Sequence, residues 1–292
     1  MSVYDDFAAI IKRNEPLAGY TYLRVGGPAD GLAEPRSVEE LVRLVQQARQ
    51  EGIPVRLLGG GSNLLVRDEG VRGLVIRLSE PAFTAIRVEG TTLYAGAGAL
   101  LSTAISEAAK HGLSGLEPLI GMPGTVGGAV WMRSGSRFGN VWQRLQAAQV
   151  LLADGQLARR EAGDLRNELA ADALVQPILL EVELALEKDN TQNILKRMRK
   201  FWIHRQAQQP FSFQTCGRLF KDPRVATADQ LIQQAGLKGT RVGGAEISER
   251  DANYVIMHPG GTARDVLRLI ELARTRVAET TGQTLSVNLV VW

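Results

Sequence analysis

Apolar residues fall at positions 38, 41, 44, 45 and 48 of "SVEELVRLVQQARQEG" (37–52), the spacing that lines one face of an α-helix. Ser37 stands at the N-cap, Glu40 completes the capping-box pattern, and Gly52 marks the end. The "IPVRLLGGG" that follows reads as a strand running into glycines. "GLVIRL" (73–78) reads as another, so residues 20–78 contain a β–α–β-like unit. Residues 84–97 predict a hairpin turning near Gly90, and "ALLSTAISEAAKHG" (99–112) predicts a helix closed by Gly112. "LIGMPGTVGGAVWM" (119–132) is too rich in glycine for either regular element. Residues 146–186 alternate as strands about turns such as Asp154-Gly155. A basic amphipathic helix over 191–210, stopped by Pro210, forms the hinge between two parts. Helices over 227–235 and 262–280 carry Thr227 with Gln230 and Thr262 with Asp265 in capping positions, and "TLSVNLVVW" closes the chain as a strand. The pattern is that of an α+β protein.

At 292 residues the chain can bury two or three cores, and its 45% hydrophobic and 22% charged residues are those of a soluble globular protein. A net charge of +3 is too weak a field to imply a nucleic-acid partner. The run Lys196, Arg197, Arg199, Lys200 and Arg205 has the spacing of a solvated helix face, and Arg264, Arg268, Arg274 and Arg276 read as surface charge. The single cysteine, Cys216, excludes a disulfide framework, and His111, His204 and His258 lack metal-ligand spacing, so no metal is expected. The start lacks the basic-then-apolar order of a signal peptide, and no apolar run approaches the ~18 residues of a membrane span. The expected location is the cytoplasm.

Glycine usage carries the chemistry. "LLGGGSNLLVRDEG" (57–70) delivers Gly59, Gly60 and Gly61 from a strand, followed by Ser62 and Asn63. Bare main-chain N–H groups in such a run can close around a diphosphate, and the two polar side chains add donors. The run is neither a dinucleotide fingerprint nor a P-loop, since Leu64 takes the third glycine place and no Gly-Lys-Ser/Thr follows. Alone it serves equally as a wide structural turn. A second run, "GMPGTVGGAVWMRSGS" (121–136), offers Thr125, Gly127 and Gly128. Two such cradles suit a long bent ligand with a central diphosphate, such as FAD.

"TYLRVGGPAD", "LLGGGSNLLVRDEGVRGLVIRL", "GLEPLIGMPGTVGGAVWM", "FKDP", "LIQQAGLKGTRVGGAEIS" and "DANYVI" occur in this order from about residue 20 to the last strand. Together they resemble the signatures of the FAD-dependent UDP-N-acetylenolpyruvoylglucosamine reductases of peptidoglycan synthesis. The resemblance implies an FAD-binding fold of the vanillyl-alcohol-oxidase type. FAD-binding subdomains would span 1–80 and 81–195 and a substrate domain 196–292, the last strand free to pack back on the FAD domain. Cofactor contacts would fall on Gly59 to Asn63, Thr125, Gly127, Gly128, Arg24 and Arg205. In the family NADPH gives hydride to the flavin, which passes it to an enolpyruvyl double bond. A serine or cysteine protonates the other carbon, and an arginine and a glutamate stabilise the enol-like intermediate.

This sequence departs from that pattern at all three reacting positions. Arg218 follows Gly217 where the family has serine, Asn288 stands for the glutamate, and Ala170 falls where the arginine belongs, with Arg166 close but out of register. Asp222, Asp251 and Arg133 replace an asparagine, a histidine and an asparagine on the substrate side, where Lys221 also lies. Arg218 stays protonated at neutral pH and cannot supply a proton, but it can bind a carboxylate or phosphate. Cys216 is the one candidate for rescue. In an extended segment it shares a face with Arg218, and a nearby cation lowers a thiol's pKa. A small packed cysteine is the alternative reading. A Cβ at Gly61 is expected to enter the cofactor's space. The partners implied are NADPH and a UDP-sugar or other anionic small molecule, with no nucleic acid and no membrane. The standard reaction is expected to be impaired. A diverged paralogue with another redox substrate and a non-catalytic flavin-binding protein stand as alternatives.

Overall fold

The computed structural model describes residues 2–169, 177–208 and 216–292. They form two compact units. The first comprises residues 1–13, 31–60 and 73–204, and the second 14–30, 61–72 and 205–292. The chain therefore passes between units at 60/61, inside the first glycine run, and at 204/205, inside the helix Thr191–Gln208. Pro210 lies outside the described residues.

The first unit holds an antiparallel five-stranded sheet in the order Leu157–Glu161, Leu145–Leu151, Ile178–Ala185, Thr92–Gly96 and Ile86–Glu89. Gly90, with a φ of 63°, turns the hairpin that begins it. A second sheet runs Ile11–Pro16, Pro28–Ala33, Val71–Arg77, Val55–Leu58, the last two parallel. The helix Val38–Gln50 buries Leu41, Leu44, Val45 and Ala48 in the same core as Leu74 and Ile76. Ser37 caps it by accepting from the Glu40 N–H, but the Glu40 carboxylate takes the Arg36 N–H, so the capping box expected there is not closed.

Two further expectations are corrected in this unit. The glycine-rich 119–132 segment contains a regular helix, Val126–Trp131, capped by Thr125, whose hydroxyl accepts from the Gly128 N–H at 3.2 Å. Its apolar side chains supply what the glycines lack, since Val126, Ala129 and Val130 are buried in the core. The 146–186 region is not all strand and turn, for the helix Ala162–Glu168 interrupts it. Leu165 is its one buried residue, too little apolar periodicity to show in the sequence.

The second unit pairs a four-stranded antiparallel sheet with two helices. The strands run Cys216–Arg218, Tyr254–Met257, Ala245–Ile247, Arg241–Val242. The helices Ala228–Gln234 and Ala263–Thr281 both have complete capping boxes, on Thr227 with Gln230 and Thr262 with Asp265. Phe220, Leu231, Ile232, Val255, Leu269 and Val277 are among the residues of its core. The terminal strand is shorter than expected. Only Val290–Val291 pairs, in parallel with Leu64–Leu65, and Val287 makes a single bridge to Phe220. Among the described residues no helix is long and apolar enough to cross a membrane.

The basic run on Thr191–Gln208 is not wholly a solvated face. Arg197 donates to Glu117 at 2.7 and 3.0 Å and to Asp189 at 2.6 Å, and Glu117 is only 4% exposed. Burial pushes the Glu117 carboxyl up, but its own N–H, that of Gly115, the Arg197 guanidinium and the Ser114 hydroxyl outweigh burial and hold it below the usual range. A depressed folded pKa contributes stability that is present at neutral pH and lost as pH falls through it. Replacing Glu117 by Gln should lower Tm by roughly 5–10 °C at pH 7. The gap to wild type should narrow toward pH 4, and thermal melts across pH 4–7 read both effects.

Candidate functional site

The two glycine runs meet within the first unit. A Cβ on Gly60 would lie 2.6 Å from the Cα of Gly124, and one on Gly59 would lie 2.9 Å from the Thr125 hydroxyl. Neither position accepts a side chain without displacing backbone or the helix cap. Gly127 is held bare for another reason, because its Cβ would strike Ala97 at 2.8 Å. Gly128 differs from both. Its Cβ would meet no backbone, only the Thr125 hydroxyl at 3.2 Å, which would have to give by a few tenths of an ångström. Among the described residues the N–H groups of Gly59 and Gly60 find no protein acceptor. Free amide donors converging on a helix N-terminal turn suit an anion. The donor set fits a diphosphate.

In the second unit Gly61 is buried, and its N–H likewise finds no acceptor among the described residues. Its φ is 63°, and a Cβ there would lie 2.0 Å from the Tyr20 carbonyl. The expectation that this Cβ would enter cofactor space is corrected: the collision is with the protein's own backbone. Asn63 and Asn288 hold each other through their amides. Asn63 Nδ2 donates to the Asn288 carbonyl at 2.8 Å, and Asn288 Nδ2 to Asn63 Oδ1 at 2.9 Å. Asn288 Nδ2 also reaches the Arg218 carbonyl at 3.5 Å. An ionised glutamate at 288 would face these two oxygens with no proton to give. Asn288 is thus fitted to its neighbours as a donor.

Arg218 closes on Asp222 at 2.5 Å, while the other Asp222 oxygen accepts the Ala228 N–H at 3.0 Å. The two substitutions at 218 and 222 therefore answer each other. Asp251 lies within electrostatic reach of Arg218, Asp222 and Asp229. Burial pushes the Asp251 carboxyl above the usual range, and Asp229 and Asp222 add to this against the Asn253 N–H and the Arg218 guanidinium. The place of Asp251 between Arg250 and Ala252 gave no sign of this upward push. Cys216 lies in the extended strand Cys216–Arg218, so it shares a face with Arg218 as expected. The lowered thiol pKa is corrected, because burial pushes the half-buried Cys216 thiol up. A thiolate is disfavoured there.

The remaining candidates are distributed as follows. Arg24 is exposed, has a φ of 56° and donates to the Gly19 carbonyl at 2.9 Å. Arg205 is half-buried, and desolvation pulls its pKa down, opposed by Tyr254. Lys221 is exposed, its N–H bonded to the Ser286 carbonyl. Arg133 belongs to the first unit, where it donates to the Arg166 carbonyl at 3.1 Å. Ala170 lies outside the described residues.

Comparison with known proteins gives a consistent family. Residues 29–160 match the FAD binding domain family, and residues 209–292 match the UDP-N-acetylenolpyruvoylglucosamine reductase C-terminal domain. UDP-N-acetylenolpyruvoylglucosamine reductase 2 of Symbiobacterium thermophilum is 40% identical over 284 residues, covering 97% of this chain and 92% of that protein. The reductase of Streptococcus pneumoniae is 41% identical over 277 residues, 94% of this chain and 91% of its own. The crystal structure of the reductase from Thermus caldophilus superposes with a TM-score of 0.81 at 37% identity, covering 97% of this chain and 98% of that one.

The raised Asp251 carboxyl sets a direction for pH. Folding takes up a proton there, so the favourable contribution is complete below the unfolded pKa of about 3.9 and is lost as pH rises through the folded value. Asp251→Asn keeps the acceptor for the Asn253 N–H and removes the charge. It should melt roughly 2–5 °C above wild type at pH 8. That advantage should shrink toward pH 4.5; a variant less stable than wild type at pH 8 would contradict the assignment.

Proposed function

The chain belongs to the UDP-N-acetylenolpyruvoylglucosamine reductase family, FAD-dependent oxidoreductases, and we propose that this member accepts hydride from NADPH and acts on a UDP-sugar-like substrate with altered acid–base groups. Its cofactor is FAD. When bound, FAD supplies the two-electron relay between the nicotinamide and the substrate's double bond. The observation that carries the reading is the meeting of two bare glycine runs at the Thr125-capped helix, where the Gly59 and Gly60 amides find no acceptor among the described residues.

In this proposal Gly59 and Gly60 border the diphosphate with Thr125 and Gly128 of the same unit, and Gly61 and Ser62 are further cofactor contacts. Gly127 supports them by letting the helix seat against Ala97. Asn63, tied to Asn288, orients the run, and Arg24 and Arg205 flank the cofactor. The functional division into 1–80 and 81–195 for the cofactor and 196–292 for the substrate belongs to the same reading, as does action in the cytoplasm. Arg218, Lys221 and Arg133 are placed on the anionic substrate. Arg218 binds and does not donate. Asp251 is the carboxyl of this cluster that burial pushes up, and Asn288 can hydrogen-bond an enol oxygen without bearing charge.

A second reading is favoured by one observation: Arg218 pairs with Asp222, and Asn288 pairs with Asn63. Such mutual fitting suits a paralogue with another redox substrate better than random decay. Anaerobic absorbance separates the readings. NADPH should bleach the flavin bands, and UDP-N-acetylenolpyruvoylglucosamine should restore them slowly. Arg218→Ser should speed that return by about 10²-fold, the worth of a positioned acid. Bleaching without return would favour the paralogue. No bleaching by NADPH or NADH would remove the enzyme reading altogether.

A further inference from the structure

A cavity of about 270 Å³ in the first unit is lined by Arg133, Asn140, Trp142, Gln143 and Arg166. It sits at the C-terminal end of the helix Val126–Trp131, about 9 Å along that helix from the glycine cradle at its start. No carboxylate lines it, and among the described residues neither guanidinium has a carboxylate partner. Arg133 and Arg166 instead gather over one indole, their guanidinium carbons 5.2 and 5.7 Å from the Trp142 ring. The indole N–H is already committed to the Val130 carbonyl at 2.8 Å.

The two amides add to the same polarity. Asn140 Oδ1 accepts the Gln143 N–H and Gln143 Oε1 accepts the Asn140 N–H, both at 3.2 Å. This reciprocal cap fixes both side-chain oxygens as acceptors, and so fixes both NH₂ groups as the ends left over. Neither NH₂ finds an acceptor among the described residues. The polar side-chain groups left to the cavity are therefore all donors: two guanidinium forks and two amide NH₂ groups. A donor-only lining selects an anion, and paired forks select one with several oxygens. The volume corresponds to about nine waters, comparable with the nine heavy atoms of a diphosphate.

Arg133 is also held at a conformational cost. Its φ of 52° lies in the left-handed region, where a long side chain is disfavoured and asparagine is tolerated. The backbone is fixed there by its N–H bond to Val130 and by the Ser134 N–H bond to Ala129. An arginine kept at such a position points to a use for its charge.

We propose that this cavity binds the diphosphate group of a small-molecule anion through Arg133 and Arg166, with Trp142 as the stacking platform. The proposal extends the substrate-side role given to Arg133. Its test reads anion binding directly, so it stands or falls apart from NADPH-driven reduction. The full chain, in excess FAD to fill the glycine cradle, is titrated calorimetrically with pyrophosphate at low ionic strength. Wild type should bind saturably, and Arg133→Asn and Arg166→Gln should each weaken binding about tenfold or more. Arg133→Asn should melt at or above the wild-type Tm, since asparagine relieves the left-handed backbone, which separates lost binding from lost folding. UDP and NADP⁺ are titrated alongside. A double-variant loss for either assigns the diphosphate to a nucleotide, and a loss for pyrophosphate alone assigns it to the free anion. No saturable binding at millimolar pyrophosphate, or binding unchanged in the double variant, would overturn the proposal.

Discussion

Gly60 and Gly124 approach so closely that a single methylene on Gly60 would lie 2.6 Å from the other's Cα. That approach is the constraint from which the cofactor half of the structure follows. It demands glycine in two runs more than sixty positions apart in sequence. It also leaves main-chain N–H groups without side chains to cover them. Thr125 starts a helix at the same point, and its first-turn N–H groups are taken by the Ala99 and Ala97 carbonyls and the Thr125 hydroxyl, so the donors left over are those of Gly59 and Gly60. Core packing of Val126, Ala129 and Val130 holds this arrangement in place against the poor helix propensity of Gly127 and Gly128.

The second unit shows a different economy. Three of its changed positions, 218, 222 and 288, are not scattered losses. Arg218 meets Asp222, Asn288 meets Asn63, and the Arg218 carbonyl is within reach of the same Asn288 amide. Restoring the family glutamate at 288 would leave a carboxylate facing the Asn63 and Arg218 oxygens. The chemistry of this site is therefore a property of the set. Burial, with Asp229 and Asp222 nearby, pushes the Asp251 carboxyl above the usual range within that set.

Much of the fold was legible because its signals are local. The capping pairs Thr227–Gln230 and Thr262–Asp265 and the Gly90 hairpin each announce themselves within a few residues. The glycine runs were legible as chemistry but not as structure, because glycine lowers helix propensity while burial of Val126 and Val130 overrides it. The helix Ala162–Glu168 was hidden by its single buried leucine. What stayed illegible depends on distant partners. Arg197 read as surface until Glu117 and Asp189 came to it, the space for a Cβ at Gly61 read as the cofactor's until Tyr20 stood there, and burial reversed the pKa expected for Cys216. The donor-only cavity needed both partners of the Asn140–Gln143 cap to be seen in place.

The central claim is that bare amides around the Thr125-capped helix hold FAD, and flavin content measured by absorbance on purified wild type and Gly128→Val tests it most directly. Gly128 is the cradle position where a Cβ meets no backbone and only the Thr125 hydroxyl, at 3.2 Å, so circular dichroism on the valine variant checks that a small shift of that hydroxyl keeps the fold. The account predicts yellow wild type with stoichiometric FAD and a folded variant whose FAD affinity falls at least about tenfold. Colourless wild type that takes up no added FAD, or a variant that keeps FAD as tightly as wild type, would contradict it.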